Sequence, residues 1–202
     1  MRWTTVGAVA AVLLLIPSMT AAQPALVVRT YNNFGVAPDD LRVARVEADA
    51  ILRNAGIDVI WMDCWFRDCA AVDASPRCGQ PLGANDIVLR FQSGTTSARR
   101  RFTSMGFSMI GAGPDRPYLS TVFPDVVQSV ARGAAIEAHR VLGFAIAHEI
   151  GHLLLNTTEH AKAGLMRADW SRNELHRQAA SDWRFLEAEA TKMRAAVAGP
   201  TT

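Results

Sequence analysis

The chain has 202 residues, half of them apolar, and a formal net charge of only +2. That length holds one domain with a sizeable core. A balance this close to neutral gives no electrostatic case for nucleic acid or an anionic membrane as a partner.

Residues 1–22 read as a secretory signal. Arg2 supplies a short positive start, and Val6 to Ile16 is an unbroken apolar run of 11 residues. Pro17 and Ser18 break the run, and Thr20-Ala21-Ala22 offers small residues before a cut. The run is too short to cross about 30 Å of hydrocarbon, so no transmembrane anchor is expected once the signal is removed. Residues 23–202 are then one domain in a secreted or periplasmic protein.

Ala25 to Thr30 reads as a strand. Pro38-Asp39-Asp40 opens a helix whose apolar positions Leu41, Ala44, Ala48, Ile51, Leu52 and Ala55 recur at helical spacing, and Gly56 ends it. Ile57 to Met62 reads as a second strand and Asp86 to Phe91 as a third. This strand–helix–strand opening favours parallel pairing through a right-handed crossover. Between the last two strands lies a long Pro/Gly-rich loop, Asp63 to Gly83, which carries all three cysteines: Cys64, Cys69 and Cys78. In an exported chain three cysteines imply one disulfide and one leftover thiol. Cys64 closes a strand and Cys78 precedes the run into the next one, so Cys64–Cys78 is the preferred pair.

Ser93 to Arg101, ending in Arg99-Arg100-Arg101, reads as a polar surface turn. Gly106 to Ile110 and Tyr118 to Phe123 read as short strands, and Pro124 to Arg132 as a short helix. Ala135 to Leu155 is the strongest helical stretch. An irregular segment follows, then a C-terminal helix from about Ser171 to Ala196. The order of elements is that of an α+β domain, a mixed sheet with one central helix and a C-terminal helix.

The chemistry sits in His148 to Trp170. His148 and His152 are one helical turn apart, so both imidazoles leave one face and can share a metal ion. Glu149 is turned about 100° away. It is badly placed as a ligand beside them but well placed to take a proton from a water that the metal acidifies. The surrounding positions are apolar, and burying His-Glu-His there without a metal would strand polar groups. A third ligand is needed to leave one position open. His160 lies eight residues beyond His152. On a continuous helix it would be rotated about 80° and displaced about 12 Å. The helix must therefore stop, and Asn156-Thr157-Thr158 suits that, because Asn tolerates the left-handed conformation that ends helices. His139 and His176 read as ordinary surface residues, and Glu159 and Asp169 as surface or supporting groups.

His148-Glu149-x-x-His152, a further histidine shortly after, and Gly164-Leu165-Met166 resemble the metzincin metallopeptidases. More narrowly, AHEIGHLLLNTTEH…GLMRADW is similar to exported bacterial proteins described as metzincin-like. The resemblance implies Zn²⁺ held by His148, His152 and His160, Glu149 as general base, a methionine turn at Met166 beneath the metal, and a peptide or protein substrate extended along an edge strand, for which Gly106 to Ile110 is the candidate. The usual spacing puts a glycine and the third ligand at what are here Leu155 and Thr158, so His160 is a shifted ligand. Glu174, in contrast, resembles the glutamate that completes the site in the gluzincin clan, and it stands as the rival third ligand. Pro76-Arg77-Cys78-Gly79 resembles the cysteine switch of matrix metalloproteases, which competes with a disulfide for Cys78. A zinc-stabilised binding protein without turnover is the alternative to a peptidase.

Overall fold

The computed structural model describes residues 24–64, 76–95, 104–111, 118–177 and 179–199. The expected signal, Cys69 and the Arg99–Arg101 run lie outside them. Strands β1 (Leu26–Asn32), β2 (Val59–Cys64) and β3 (Asp86–Phe91) flank helix α1 (Pro38–Asn54) in the order expected. β1 runs parallel to both β2 and β3. α1 starts with Pro38 in its first turn and carries Asp39 and Asp40 there, with Arg53 in the last turn, so its charges oppose the helix dipole. It ends in a Schellman motif. Gly56, at φ 79°, donates to Arg53 O, and Ile57 N–H donates to Leu52 O. Ile57 is therefore the buried apolar partner of a helix cap, which is why β2 begins at Val59 and not at Ile57.

β4 (Gly106–Met109) and β5 (Leu119–Val122) complete a five-stranded sheet in the order β2-β1-β3-β5-β4. β5 is parallel to β3, and β4 is antiparallel to β5 at the edge. The molecule is thus α+β with a mixed sheet. Helices α2 (Pro124–Ala134) and α3 (Ala138–Leu155) pack with α1 on the face of β1 that carries Leu26 and Val28. α3 begins three residues later than Ala135, because Ala135 sits at φ 52° as the cap of α2.

The C-terminal region departs from the single helix expected over 171–196. It forms α4 (Arg172–Arg177), a 3-10 turn at Ala180–Trp183, an extended stretch, and α5 (Glu187–Ala198). The reason is tertiary. Trp183 stacks on Phe144 of α3 at 4.1 Å, and Phe185 is buried beside it in the core. The backbone between them is also used, since Arg184 O accepts from Leu165 N at 2.8 Å. Burying both aromatics outweighs the few tenths of a kcal/mol per residue by which helix propensity differs. No helix of the described residues is long and apolar enough to cross a membrane.

On the other sheet face the described part of the cysteine segment, residues 76–83, packs through Cys78. Val27, Met62 and Cys64 form a small cluster there with Tyr31 and Cys78. Cys64 and Cys78 are joined in a disulfide. In the chain-entropy picture a loop of that length contributes about 3 kcal/mol. Arg29 of β1 anchors the same loop. Its guanidinium pairs with Asp86 of β3 and donates to Gln80 O at 2.6 Å and Pro81 O at 2.9 Å. The side chains of Arg29 and Asp86 are only 3% and 4% exposed. Arg29→Met would leave a buried carboxylate and two loop carbonyls without their donor. The expected loss is about 3–5 kcal/mol, seen as a lower urea midpoint at unchanged m. A loss within experimental error would show that the pair contributes nothing to holding the loop.

Candidate metal centre

Every residue of α3 from Val141 to Leu154 is buried, including His148, Glu149 and His152. The two histidines stand on one face as their spacing requires, with their Nε2 atoms 3.0 Å apart. Their other nitrogens are committed. His148 Nδ1 lies 3.0 Å from Leu165 O, and His152 Nδ1 lies 2.7 Å from Thr157 O. A carbonyl can only accept, so each Nδ1 carries the proton and each Nε2 keeps a lone pair. Burial pulls His148 down to about 4, against the raising effect of the Leu165 carbonyl, and lowers His152 for the same first reason. Both rings are therefore neutral near pH 7, the state in which imidazole ligates metals. Two acceptor nitrogens facing each other at 3.0 Å make no hydrogen bond. A cation between them would satisfy both, and donors on a tetrahedral ion with bonds of 2.0–2.1 Å stand about 3.3 Å apart.

The third imidazole arrives because the helix stops where the sequence suggests. Asn156 takes the left-handed conformation, φ 48° and ψ 50°. Thr157 then turns back on His152, donating its N–H to His152 O while its own carbonyl accepts the hydrogen bond from the ring. His160 follows with its ring 5.4 Å from that of His148 and 4.9 Å from that of His152. One nitrogen from each of the three rings lies within 4.8 Å of the others. The three histidines could hold a metal ion, and their donor set fits one. Leu155 is the last helical residue, and Thr158 lines the cleft without joining the converging rings.

The segment after His160 is built to support the rings. Ala161 N donates to Met166 O at 2.8 Å, closing a turn, and Gly164 sits at φ 75°. A Cβ on Gly164 would lie 2.6 Å from Arg184 O, so only glycine fits. Leu165 O accepts from Trp170 Nε1 at 3.3 Å as well as from His148. Met166 is buried, and its sulfur would stand only 2.7 Å from a Cβ on Gly151. Gly151, between the two histidines, thus lets Met166 close against α3.

Glu149 is buried on a different side of the helix. Its Oε2 accepts from Ser108 Oγ at 2.7 Å. Burial pushes its carboxyl up to about 7, with the Ser108 hydrogen bond acting the other way. Glu149 and the three histidines line an open cleft of about 500 Å³ between β4 and the Arg167–Trp170 segment. The sequence reading missed Ser108, Ser120 and Gly106. The available signal was small residues at Gly106 and Ser108, two apart on a strand and so on one face.

The rival ligand Glu174 is used elsewhere. Its Oε2 accepts from Ser171 N at 2.8 Å and Ser171 Oγ at 2.6 Å, capping α4, and its Oε1 faces Arg167 at 3.4 Å. These hydrogen bonds hold its carboxyl below the usual range. It is not among the converging groups. Cys78 is likewise bound to Cys64 on the opposite sheet face, so Cys78 itself offers no thiol for a switch. His139 faces Asp40 at 3.9 Å, while His176, Glu159 and Asp169 are exposed.

Competitive metal titration against a chelator separates the two candidate ligands. His160→Ala should weaken binding roughly tenfold or more, and Glu174→Ala should leave it nearly unchanged. The reverse pattern would move the third ligand to Glu174. No protein-family model and no curated protein matches the chain.

Proposed function

We propose that the chain is an exported zinc-dependent peptidase of metzincin-like architecture, with His148, His152 and His160 as metal ligands and Glu149 as general base. The observation that carries this reading is a buried carboxylate opening into the same cleft as three converging imidazoles, yet held off their face by its own hydrogen bond. A purely structural metal site would need no base and would fill its fourth position with a protein ligand. The position of β4 at the edge of the described sheet, beside the cleft, supports a polymeric substrate, because an edge strand can offer main-chain donors and acceptors to an extended peptide. The disulfide and the apolar leader support export.

Bound Zn²⁺ would supply Lewis acidity, lowering the pKa of a water toward about 7 and polarising a carbonyl. The protein's own residues do the rest. His148 and His152 are pre-aimed by Leu165 and Thr157, so their orientation is set before the metal arrives. Glu149 takes the proton of the attacking water at Oε1, since Oε2 is engaged by Ser108, and delivers it to the departing amine nitrogen.

Glu149→Gln tests the assignment. It should bind one zinc ion as the wild type does, while cleavage of a peptide library falls by about 10²-fold or more. A variant that loses the metal would make Glu149 a ligand and the mechanism wrong. A zinc-loaded wild type that cleaves nothing would favour a binding protein without turnover.

A further inference from the structure

The Glu149 carboxylate is held by an arrangement that neither the metal ligands nor the helix requires. Ser108, on β4, places its Oγ 2.7 Å from Glu149 Oε2, 2.8 Å from Glu149 O and 2.6 Å from Ser120 Oγ. Ser120, on β5, is fully buried, and its Oγ is 3.2 Å from Glu149 O. Each hydroxyl has one proton to give. A carboxylate is the strongest acceptor in the group, so Ser108 donates to Oε2. Ser120 makes no hydrogen bond to the carboxylate. With the Ser108 proton given to Oε2, the 2.6 Å contact between the hydroxyls is closed by Ser120 donating to Ser108 Oγ, which fixes the rotamer of its neighbour. Among the described residues Ser108 is the one hydrogen-bond donor to the carboxylate.

The other oxygen is confined by shape. A Cβ on Gly106 would lie 2.6 Å from Glu149 Oε1 and 2.7 Å from Thr121 O. Glycine leaves the space that Oε1 occupies, and any side chain would displace either the carboxylate or the β5 backbone. Ser108 and Gly106 are two apart on the same strand, so one face of β4 grips one oxygen and makes room for the other.

We infer that Ser108, braced by Ser120, is a positioning residue that locks the Glu149 carboxylate through Oε2 and leaves Oε1 in the space beside Gly106. Its catalytic consequence rests on the peptidase reading; the hydrogen bond does not. The arrangement would also keep a flexible carboxylate from swinging onto the ligand face beside it, so the same hydroxyl would separate the base from the metal.

The test compares Ser108→Ala, Ser108→Thr and Ser120→Ala by two readouts. The first is the Glu149 carboxyl band in infrared difference spectra of the metal-free protein, identified by its loss in Glu149→Gln. It should shift in Ser108→Ala and return in Ser108→Thr, which restores the hydroxyl. The second is steady-state hydrolysis by the zinc-loaded protein. In Ser108→Ala, kcat should fall roughly 10- to 100-fold with KM unchanged, the range seen when a supporting hydrogen bond is lost. Ser108→Thr should recover most of this, and Ser120→Ala should fall between. An unshifted band in Ser108→Ala, or a kcat equal to wild type, overturns the inference. A shifted band in a protein whose wild type hydrolyses nothing supports the lock and overturns the peptidase reading instead.

Discussion

Two buried imidazoles donate Nδ1–H hydrogen bonds to backbone carbonyls, and almost everything else in the site is arranged around that commitment. His148 donates to Leu165 O and His152 to Thr157 O, which leaves two Nε2 lone pairs facing one another. Buried acceptors without donors are costly, on the order of 1–3 kcal/mol each. Water in the cleft could relieve part of that, and a cation all of it. Both carbonyls belong to chain that follows the helix, so the conformation of residues 156–166 and the aim of the rings are one problem. Asn156 in the left-handed region starts the reversal, and Gly164, pressed on Arg184 O, ends it.

The scaffold's task is to bury a helix on all sides while keeping one end open. α3 touches α1, α2, α5, β4 and β5. Close approach is achieved with glycine. A Cβ on Gly143 would lie 2.6 Å from Glu47 Cβ and 2.7 Å from Ala44 O, so α1 and α3 cross nearly backbone to backbone. Gly151 does the same for Met166 and Phe185 at the metal end. The sheet contributes through β4, whose antiparallel edge position puts Ser108 and Gly106 against Glu149. The C-terminal aromatics contribute through Trp183 and Phe185, which close the core beside the turn that carries Leu165.

Much of this was legible locally. Four-residue spacing placed His148 and His152 together, and the poor helix-forming Asn-Thr-Thr run marked the point of reversal that brings His160 back. The β1–α1–β2 opening and the Cys64–Cys78 pair also followed from neighbouring residues. What escaped was non-local. Ser108 is 41 residues from Glu149, and Arg29 is 57 from Asp86, so no periodicity links either pair. The C-terminal helix was misread because residues 171–196 favour helix in isolation, whereas Trp183 and Phe185 gain more by entering the core with extended backbone between them. The onset of β2 failed on a smaller scale, where a helix cap claimed Ile57.

The central claim is that three imidazoles from this chain, and no other side chain, hold the proposed zinc ion. X-ray absorption at the zinc edge of the metal-loaded wild-type protein measures this directly. The account predicts three nitrogen donors at about 2.0–2.1 Å with imidazole outer-shell scattering, and one further light-atom ligand. A sulfur shell near 2.3 Å, or a fit that needs only two imidazoles, would contradict it.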